Sequence, residues 1–212
     1  SIALQGVRQA NPRLGEYVAV LGLGLLGQLT IELLKANGVN VLGADINEKL
    51  FEIALQSGCD KVIYSSEEFL STALAFTNGY GFDAVIICAS TSSNQPTEFA
   101  VKLARKKGKV VVVGAVPMNI PRSPFYEKEL VWTISCSYGA GRYDPLYEEQ
   151  GIDYPYPYVR WTENRNMSAF LQLIETGKVK LDHLTTHIFP IEKASEAYQL
   201  ITEGKEFYLG IL

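Results

Sequence analysis

The residues best suited to chemistry form a glycine-rich run, Gly22-Leu23-Gly24-Leu25-Leu26-Gly27. An unalternating apolar run at 17–21 precedes it, and leucines at helical spacing follow it. Between a strand and a helix, G-x-G-x-x-G is typical of a turn that receives a pyrophosphate. Its first glycine permits the turn, its second lets the backbone approach the phosphates, and its third lets helix and strand pack closely. The helix N-terminus adds N–H groups and a partial positive charge. The sequence therefore predicts a dinucleotide site, against the alternative that the glycines only turn the chain.

An acid at the end of the next apolar run strengthens this prediction. Asp45 lies 18 positions after Gly27, close to the ~20 at which a carboxylate accepts hydrogen bonds from the adenosine ribose. A carboxylate would repel the 2′-phosphate of NADP, and Ile46 and Asn47 supply no arginine to reverse this, so the pattern favours NAD. Asp45 or Asn47 could instead cap the following helix.

A methyltransferase that uses S-adenosylmethionine is the other class with an acid at this strand end. Such enzymes usually carry a further acid just before the first glycine. This chain has Val20 and Leu21 there, which favours the dinucleotide interpretation.

Apolar runs alternate with helical patterns along the rest of the chain. Further strands are predicted at 39–44, 61–64, 83–88, 109–114, 130–137 and 207–212, and further helices at 48–56, 67–77, 97–105, 167–174 and 191–203. Apolar strands that do not alternate, joined by helices, are typical of a parallel sheet covered on both faces. We therefore expect an α/β fold, a doubly wound parallel sheet (Rossmann fold) in three layers.

The stretch at about 138–162 interrupts this alternation, because it is rich in tyrosine and proline. We expect an ordered insert, since so many rings are costly to expose. Arg160, Arg165 and its tyrosines could bind an anionic or sugar substrate, or could form a folded edge or an interdomain contact.

Composition limits the partners and the compartment. The 212 residues are 47% hydrophobic and 20% charged, with a net charge of −4 and no basic stripe, so neither nucleic acid nor an anionic membrane is an expected partner. The apolar stretches fall short of the ~20 residues that span a bilayer, and no signal peptide is expected. Cys59, Cys88 and Cys136 lack the spacing of a disulfide framework or of zinc ligand pairs, which predicts a cytoplasmic location and no metal site.

Four stretches carry a family resemblance, namely 18–27, 41–47, 108–114 and 186–192, the last together with 196–198. Their residues resemble the cofactor-binding half of the medium-chain, zinc-type alcohol dehydrogenase family. The resemblance implies an NAD-dependent oxidoreductase that transfers hydride between nicotinamide and a small-molecule substrate, an alcohol, polyol or sugar. It also implies a homodimer that pairs through the apolar run at 130–137, a predicted sheet edge. Together with the motif, it implies cofactor contacts by Gly22, Gly24, Leu25, Leu26, Gly27, Asp45, Ile46, Ala89, Ser90, Thr91, Gly114 and Ala115.

The sequence also departs from that family. A GroES-like catalytic lobe with Cys, His and Glu zinc ligands precedes the glycine turn in the family, whereas 21 residues precede Gly22 here. We therefore expect 1–212 to be an NAD-binding domain that lacks this lobe, contains no catalytic residue and is inactive alone. Tyr208 stands where many members present a basic residue to the cofactor, and His187 falls in a segment that the family uses structurally.

Two further interpretations stay open. The insert is similar to that of bacterial two-part oxidoreductases, in which such a half is followed by a glucose-fructose oxidoreductase-like domain. The alternative function is a non-enzymatic module that senses NAD(H) or mediates an interaction.

Overall fold

The computed structural model describes residues 1–66 and 69–212. Within these ranges the strands are β1 (Tyr17–Leu21), β2 (Asn40–Asp45), β3 (Lys61–Tyr64), β4 (Phe82–Ile87), β5 (Ala104–Val112), β6 (Val131–Ile134), β7 (Thr185–His187) and β8 (Gly210–Ile211). The helices are α1 (Ile2–Ala10), α2 (Leu25–Ala36), α3 (Phe51–Gln56), α4 (Phe69–Phe76), α5 (Gln95–Leu103), α6 (Arg122–Lys128), α7 (Pro145–Glu148), α8 (Glu163–Glu175) and α9 (Ala194–Glu203).

Strands β1 to β6 form one parallel sheet in the order β3-β2-β1-β4-β5-β6. The chain builds outward from β1 in one direction to β3 and then in the other direction from β4 to β6. This is the doubly wound order, so the predicted fold class is confirmed. The order reverses between β1 and β4, and the crevice beyond the carboxyl ends of strands at such a point is where open α/β sheets bind ligands.

The sheet has a hydrophobic core on each face. Val18 and Val20 of β1 pack with α1, α2 and α3, and Phe170 of α8 lies against the same core. Ala19 and Leu21, the alternate residues of β1, pack on the opposite face with α4 and α5. Because both faces are covered, the strands are apolar without alternation, and the domain has the three layers that the sequence predicts.

Some elements differ from the prediction. Helix α1 was not expected, and it buries Leu4 and Val7 against the core that contains α2. The predicted helix at 97–105 ends at Leu103, because Ala104 is extended and starts β5. The Lys128 side chain donates to the carbonyl of Ala104 at 2.9 Å, which satisfies an acceptor that the helix end leaves free.

One further difference concerns the last predicted strand. The closing strand predicted at 207–212 is the short β8, which pairs with β7 instead of joining the six-stranded sheet. The first two residues of the helix predicted at 67–77 lie outside the described residues. No helix in the described ranges is long and apolar enough to cross a membrane.

The tyrosine-rich insert begins after the carboxyl end of β6 and is partly packed upon itself. The ring of Tyr147 lies 6.4 Å from that of Tyr138 and 6.0 Å from that of Tyr154. Other rings stay in solvent, since Tyr143 is 73% and Tyr158 86% exposed. The insert therefore has an aromatic centre, but it leaves more ring surface uncovered than the sequence argument expects.

Candidate dinucleotide-binding site

The three glycines of the turn differ in why a side chain is excluded from each position. Gly22 has φ +95°, and a Cβ there would lie 2.5 Å from the backbone nitrogen of Ala89. A Cβ on Gly27 would lie 2.0 Å from the carbonyl oxygen of Gly22. Gly24 has φ −61°, and a Cβ there would meet no atom within 4 Å. The first and third glycines are thus required by packing, whereas the second faces open space in which a ligand can approach the backbone.

Asp45 lies beside this turn and is bonded to it. Its Oδ2 accepts a hydrogen bond from the N–H of Leu23 at 2.6 Å, and its Oδ1 accepts one from the N–H of Asn47 at 2.8 Å. Asn47, in turn, accepts from the N–H of Lys49 and caps the short helical turn that follows. The sequence left open whether Asp45 or Asn47 caps the following helix. Asn47 is the cap, and Asp45 is held at the glycine turn.

A crevice of about 590 Å³ lies at the carboxyl ends of β1, β2 and β4. The predicted site residues that line it are Gly22, Gly24, Asp45, Ile46, Ala89, Ser90 and Thr91. Leu25, Leu26 and Gly27 form the first turn of α2 next to it, where helical N–H groups have no partner within the helix. Turn, helix start and acid thus meet around one cavity.

Gly114 and Ala115 lie behind the wall of this crevice and do not line it. A Cβ on Gly114 would lie 2.1 Å from the carbonyl oxygen of Ala89. The N–H of Thr91 donates to the carbonyl of Ala115 at 2.9 Å. The segments that follow β4 and β5 are therefore held against each other, and the glycine is needed for that close contact.

Other crevice residues were missed by sequence reasoning, namely Leu21, Ala44, Asn47, Leu50, Ser65, Cys88, Ser93, Gln95 and Pro96. Ser65 could have been predicted from the sequence, because it directly follows the predicted strand at 61–64 and parallel strands end at the same sheet edge. Its N–H donates to the carbonyl of Asp45 at 2.8 Å.

Cys88 lines the crevice without the character of a nucleophile. Burial raises the pKa of its thiol to about 12, although a hydrogen bond with Thr30 opposes the shift. A thiol that stays protonated is a poor nucleophile and a poor metal ligand.

A second hollow of about 540 Å³ adjoins the turn on the other side of Gly24. Tyr208 lines it together with Lys49 and Lys205. The structure thus brings Tyr208 to the glycine turn, where the resemblance places a basic residue. Lys49 and Lys205 are the basic residues that line the same hollow. Lys205 forms an ion pair with Glu203 at 2.8 Å.

The two histidines have structural partners. His187, on β7, has Nδ1 2.9 Å from the hydroxyl of Thr186 and Nε2 3.4 Å from the carboxylate of Glu206. His183 is bonded to Ser57. Across residues 1–66 and 69–212, no group of three His, Cys, Asp or Glu side chains could hold a metal ion. The described residues therefore do not fit a zinc ion.

The sheet order, with the glycine turn and an acid at the switch point, defines the class of this protein as a Rossmann-like α/β domain. Residues 26–149 match the family model described as zinc-binding dehydrogenase. The chain belongs to this family.

Curated relatives agree with this assignment. The chain is 28% identical over 211 residues to an L-arabinitol 4-dehydrogenase of Aureobasidium melanogenum, covering 97% of this chain and 51% of that protein. It is 27% identical over 196 residues to an L-threonine 3-dehydrogenase of Bacillus licheniformis, covering 90% and 49%. The chain spans about half the length of the curated relatives it matches.

Solved structures share the fold. The alcohol dehydrogenase of Thermus sp. ATN1 superimposes with a TM-score of 0.75 at 22% identity, covering 99% of this chain and 54% of that one. A short chain alcohol dehydrogenase of E. coli CFT073, complexed with NADH, gives a TM-score of 0.76 at 22% identity, covering 99% and 55%.

Proposed function

We propose that this chain is the NAD(H)-binding domain of a medium-chain dehydrogenase, and that the domain comprises 1–212 with the aromatic insert at about 138–162. The observation that carries this proposal is the carboxylate of Asp45, bonded to the N–H of Leu23 within the glycine turn and lining an open crevice. An acid fixed at that place suits the ribose hydroxyls of an adenosine.

In this proposal, different residues of the crevice bind the pyrophosphate, the adenosine ribose and the nicotinamide half of the cofactor. The backbone of Leu25 and Leu26, at the start of α2, receives the pyrophosphate, and Gly24 leaves the space for it. Asp45 and Ile46 receive the adenosine ribose, and the stretch 89–91, backed by Gly114 and Ala115, receives the nicotinamide half. NAD, when bound, supplies the hydride chemistry.

The substrate in the whole protein is an alcohol, polyol or sugar derivative. The names of two matched relatives, L-arabinitol 4-dehydrogenase and D-guloside 3-dehydrogenase, support a polyhydroxylated substrate. The three free cysteines support a cytoplasmic location.

Calorimetry with NADH and NADPH tests the cofactor. We expect tighter binding of NADH, because the carboxylate of Asp45 would face the 2′-phosphate of NADPH at close range. Asp45→Ala should weaken NADH binding by about 1.5–3 kcal/mol, the value of a hydrogen bond to a charged group. NADPH binding equal to or tighter than NADH binding would contradict the proposal.

The chain also forms a symmetric dimer through β6 in this proposal. Strand β6 pairs with β5 on one side, and within the described residues no strand pairs with its other side. Val131 and Ile134 on this strand are about half exposed, which leaves an apolar edge suited to pairing. Light scattering at tens of micromolar should give a dimer, and Val131→Lys should shift it toward monomer. A strict monomer for the unchanged chain would refute this part.

A further inference from the structure

Gln28 is a fully buried polar side chain one position after the last glycine of the turn. Its Nε2 donates to the carbonyl oxygen of Leu23 at 2.8 Å, and the carbonyl oxygen of Leu50 lies 3.4 Å from the same nitrogen. Its Oε1 accepts the hydroxyl of Ser57 at 3.0 Å. Both ends of the amide are thus satisfied, and the donor end is directed at the turn.

The Gln28 amide restrains the backbone of Leu23. Its N–H donates to Asp45 and its carbonyl accepts from Gln28, so both backbone polar groups of one residue in the turn are held by side chains. The two contacts fix the orientation of the peptides between Gly22 and Gly24. Gly24 is the residue whose backbone lies open to the crevice.

A chain of hydrogen bonds through Ser57 and His183 fixes the orientation of the Gln28 amide, on the side away from Leu23. Ser57 is bonded to Gln28 through its single hydroxyl proton, so its oxygen accepts from Nε2–H of His183, 2.8 Å away. Burial lowers the pKa of His183, and the ring faces Glu32 on α2 at 3.6 Å as well as Asp182 and Lys180. The Nε2–H donor is present in both the neutral and the protonated ring, so this chain persists when the histidine titrates.

We infer that Gln28 is a positioning residue for the cofactor: through Leu23, its buried amide holds the glycine turn in the conformation that receives the pyrophosphate. This inference rests on the proposed function and deepens it. Ser57 and His183 act one step further away, because they keep the amide from rotating and presenting its oxygen to the carbonyl of Leu23.

The decisive variant is Gln28→Glu, which keeps the shape but replaces the N–H donors by a carboxyl. When ionised, the new group repels the carbonyl oxygens of Leu23 and Leu50, so its pKa is raised and NADH binding is weak. Asp45, bonded to the N–H of the same Leu23, and Glu32, one turn further along α2, are the acidic groups of the adjoining segments. When protonated, the new group can donate to Leu23 again. NADH affinity relative to the unchanged chain should therefore recover as the pH falls from about 8 to about 6, within the range that buried carboxyls reach. Because ionisation of a buried carboxyl can also unfold the chain, the folded fraction of Gln28→Glu is measured at each pH and the affinities are compared for folded protein only.

Two further variants and a control complete the experiment. Gln28→Met lacks both charge and donor, and it should lower NADH affinity about 3- to 10-fold at every pH, as expected for one lost hydrogen bond. Ser57→Ala should have a smaller effect in the same direction. Gln56→Glu makes the same chemical change at an exposed glutamine on α3, and it should leave both affinity and pH profile unchanged.

Hydrogen exchange of the Leu23 amide separates this inference from the proposed function. Exchange should accelerate in Gln28→Met and stay unchanged in Gln56→Glu, whether or not a cofactor binds. If the unchanged chain binds no NADH, the proposed function fails, and the exchange measurement still decides whether Gln28 holds the glycine turn. Wild-type NADH affinity and wild-type Leu23 exchange in folded Gln28→Met would overturn it. If Gln28→Glu does not fold, Gln28→Met and Ser57→Ala give the same decision.

Discussion

Gly24→Ala should leave the protein folded and lower its NADH affinity at least about tenfold, whereas Gly27→Ala should strongly destabilise the fold. The added methyl at position 24 meets no protein atom within 4 Å, and it occupies the space assigned to the pyrophosphate. The added methyl at position 27 would lie 2.0 Å from the carbonyl oxygen of Gly22. The backbone must move there, at a cost of about 3 kcal/mol or more.

Thermal unfolding and calorimetry on the two variants check this contrast. The unfolding free energy of Gly24→Ala should fall by less than about 1 kcal/mol, the ordinary loss at a helix N-cap position. Wild-type NADH affinity in Gly24→Ala would show that the turn does not face the phosphates. A fully stable Gly27→Ala would show that α2 and β1 do not pack as closely as the structure describes.

The second large effect is on turnover: this chain alone should oxidise no alcohol, polyol or sugar with NAD+ at a measurable rate, although it should bind NAD(H). Hydride transfer requires a substrate hydroxyl that is positioned and deprotonated, or a carbonyl that is polarised. The crevice residues can place a cofactor, but in the described ranges no group of three His, Cys, Asp or Glu side chains could hold a metal ion that polarises a substrate. Holding the substrate in place against the nicotinamide can lower the activation free energy of such a reaction by about 7–11 kcal/mol, and a domain that binds the cofactor alone lacks this contribution.

Absorbance of NADH, followed with a panel of substrates, measures this turnover. A longer form of the protein that includes a catalytic lobe is the positive control. Turnover by the 212 residues alone, abolished by His187→Ala or Tyr143→Phe, would contradict the proposal. It would also contradict the structural role assigned to His187, whose ring nitrogens lie near Thr186 and Glu206.

Local patterns were sufficient to predict that the glycine turn and Asp45 lie together. The glycine spacing and the position of Asp45 depend on a strand, a turn and a helix that are consecutive in the chain. The alternation of strands and helices and the rule for right-handed crossovers predict a parallel sheet, whereas the order of its strands comes from the structure. The predicted residues at 89–91 also reach the crevice, because parallel strands present their carboxyl ends at one edge.

Contacts between distant segments could not be predicted in this way. Gln28 and Ser57 are 29 positions apart, and Ser57 and His183 are 126 apart, so no local pattern connects them. A glutamine among the leucines of α2 gave only the weak signal of a polar residue in an apolar helix. Helix α1 has nine residues, too few for a helix to be stable in isolation, and it depends on its packing against the core.

The two backbone contacts of Asp45 have a consequence for the entropy of binding. A side chain that becomes ordered only when a ligand arrives loses rotamer freedom, at about 0.5–1.5 kcal/mol for each rotamer-rich group. Asp45 is already held by the N–H groups of Leu23 and Asn47, so little of this loss remains for the complex. On the proposed function, the part of the crevice around Asp45 is therefore preorganised for the adenosine ribose. Adenosine fragments such as AMP and ADP-ribose should consequently retain a large share of the affinity of the whole cofactor.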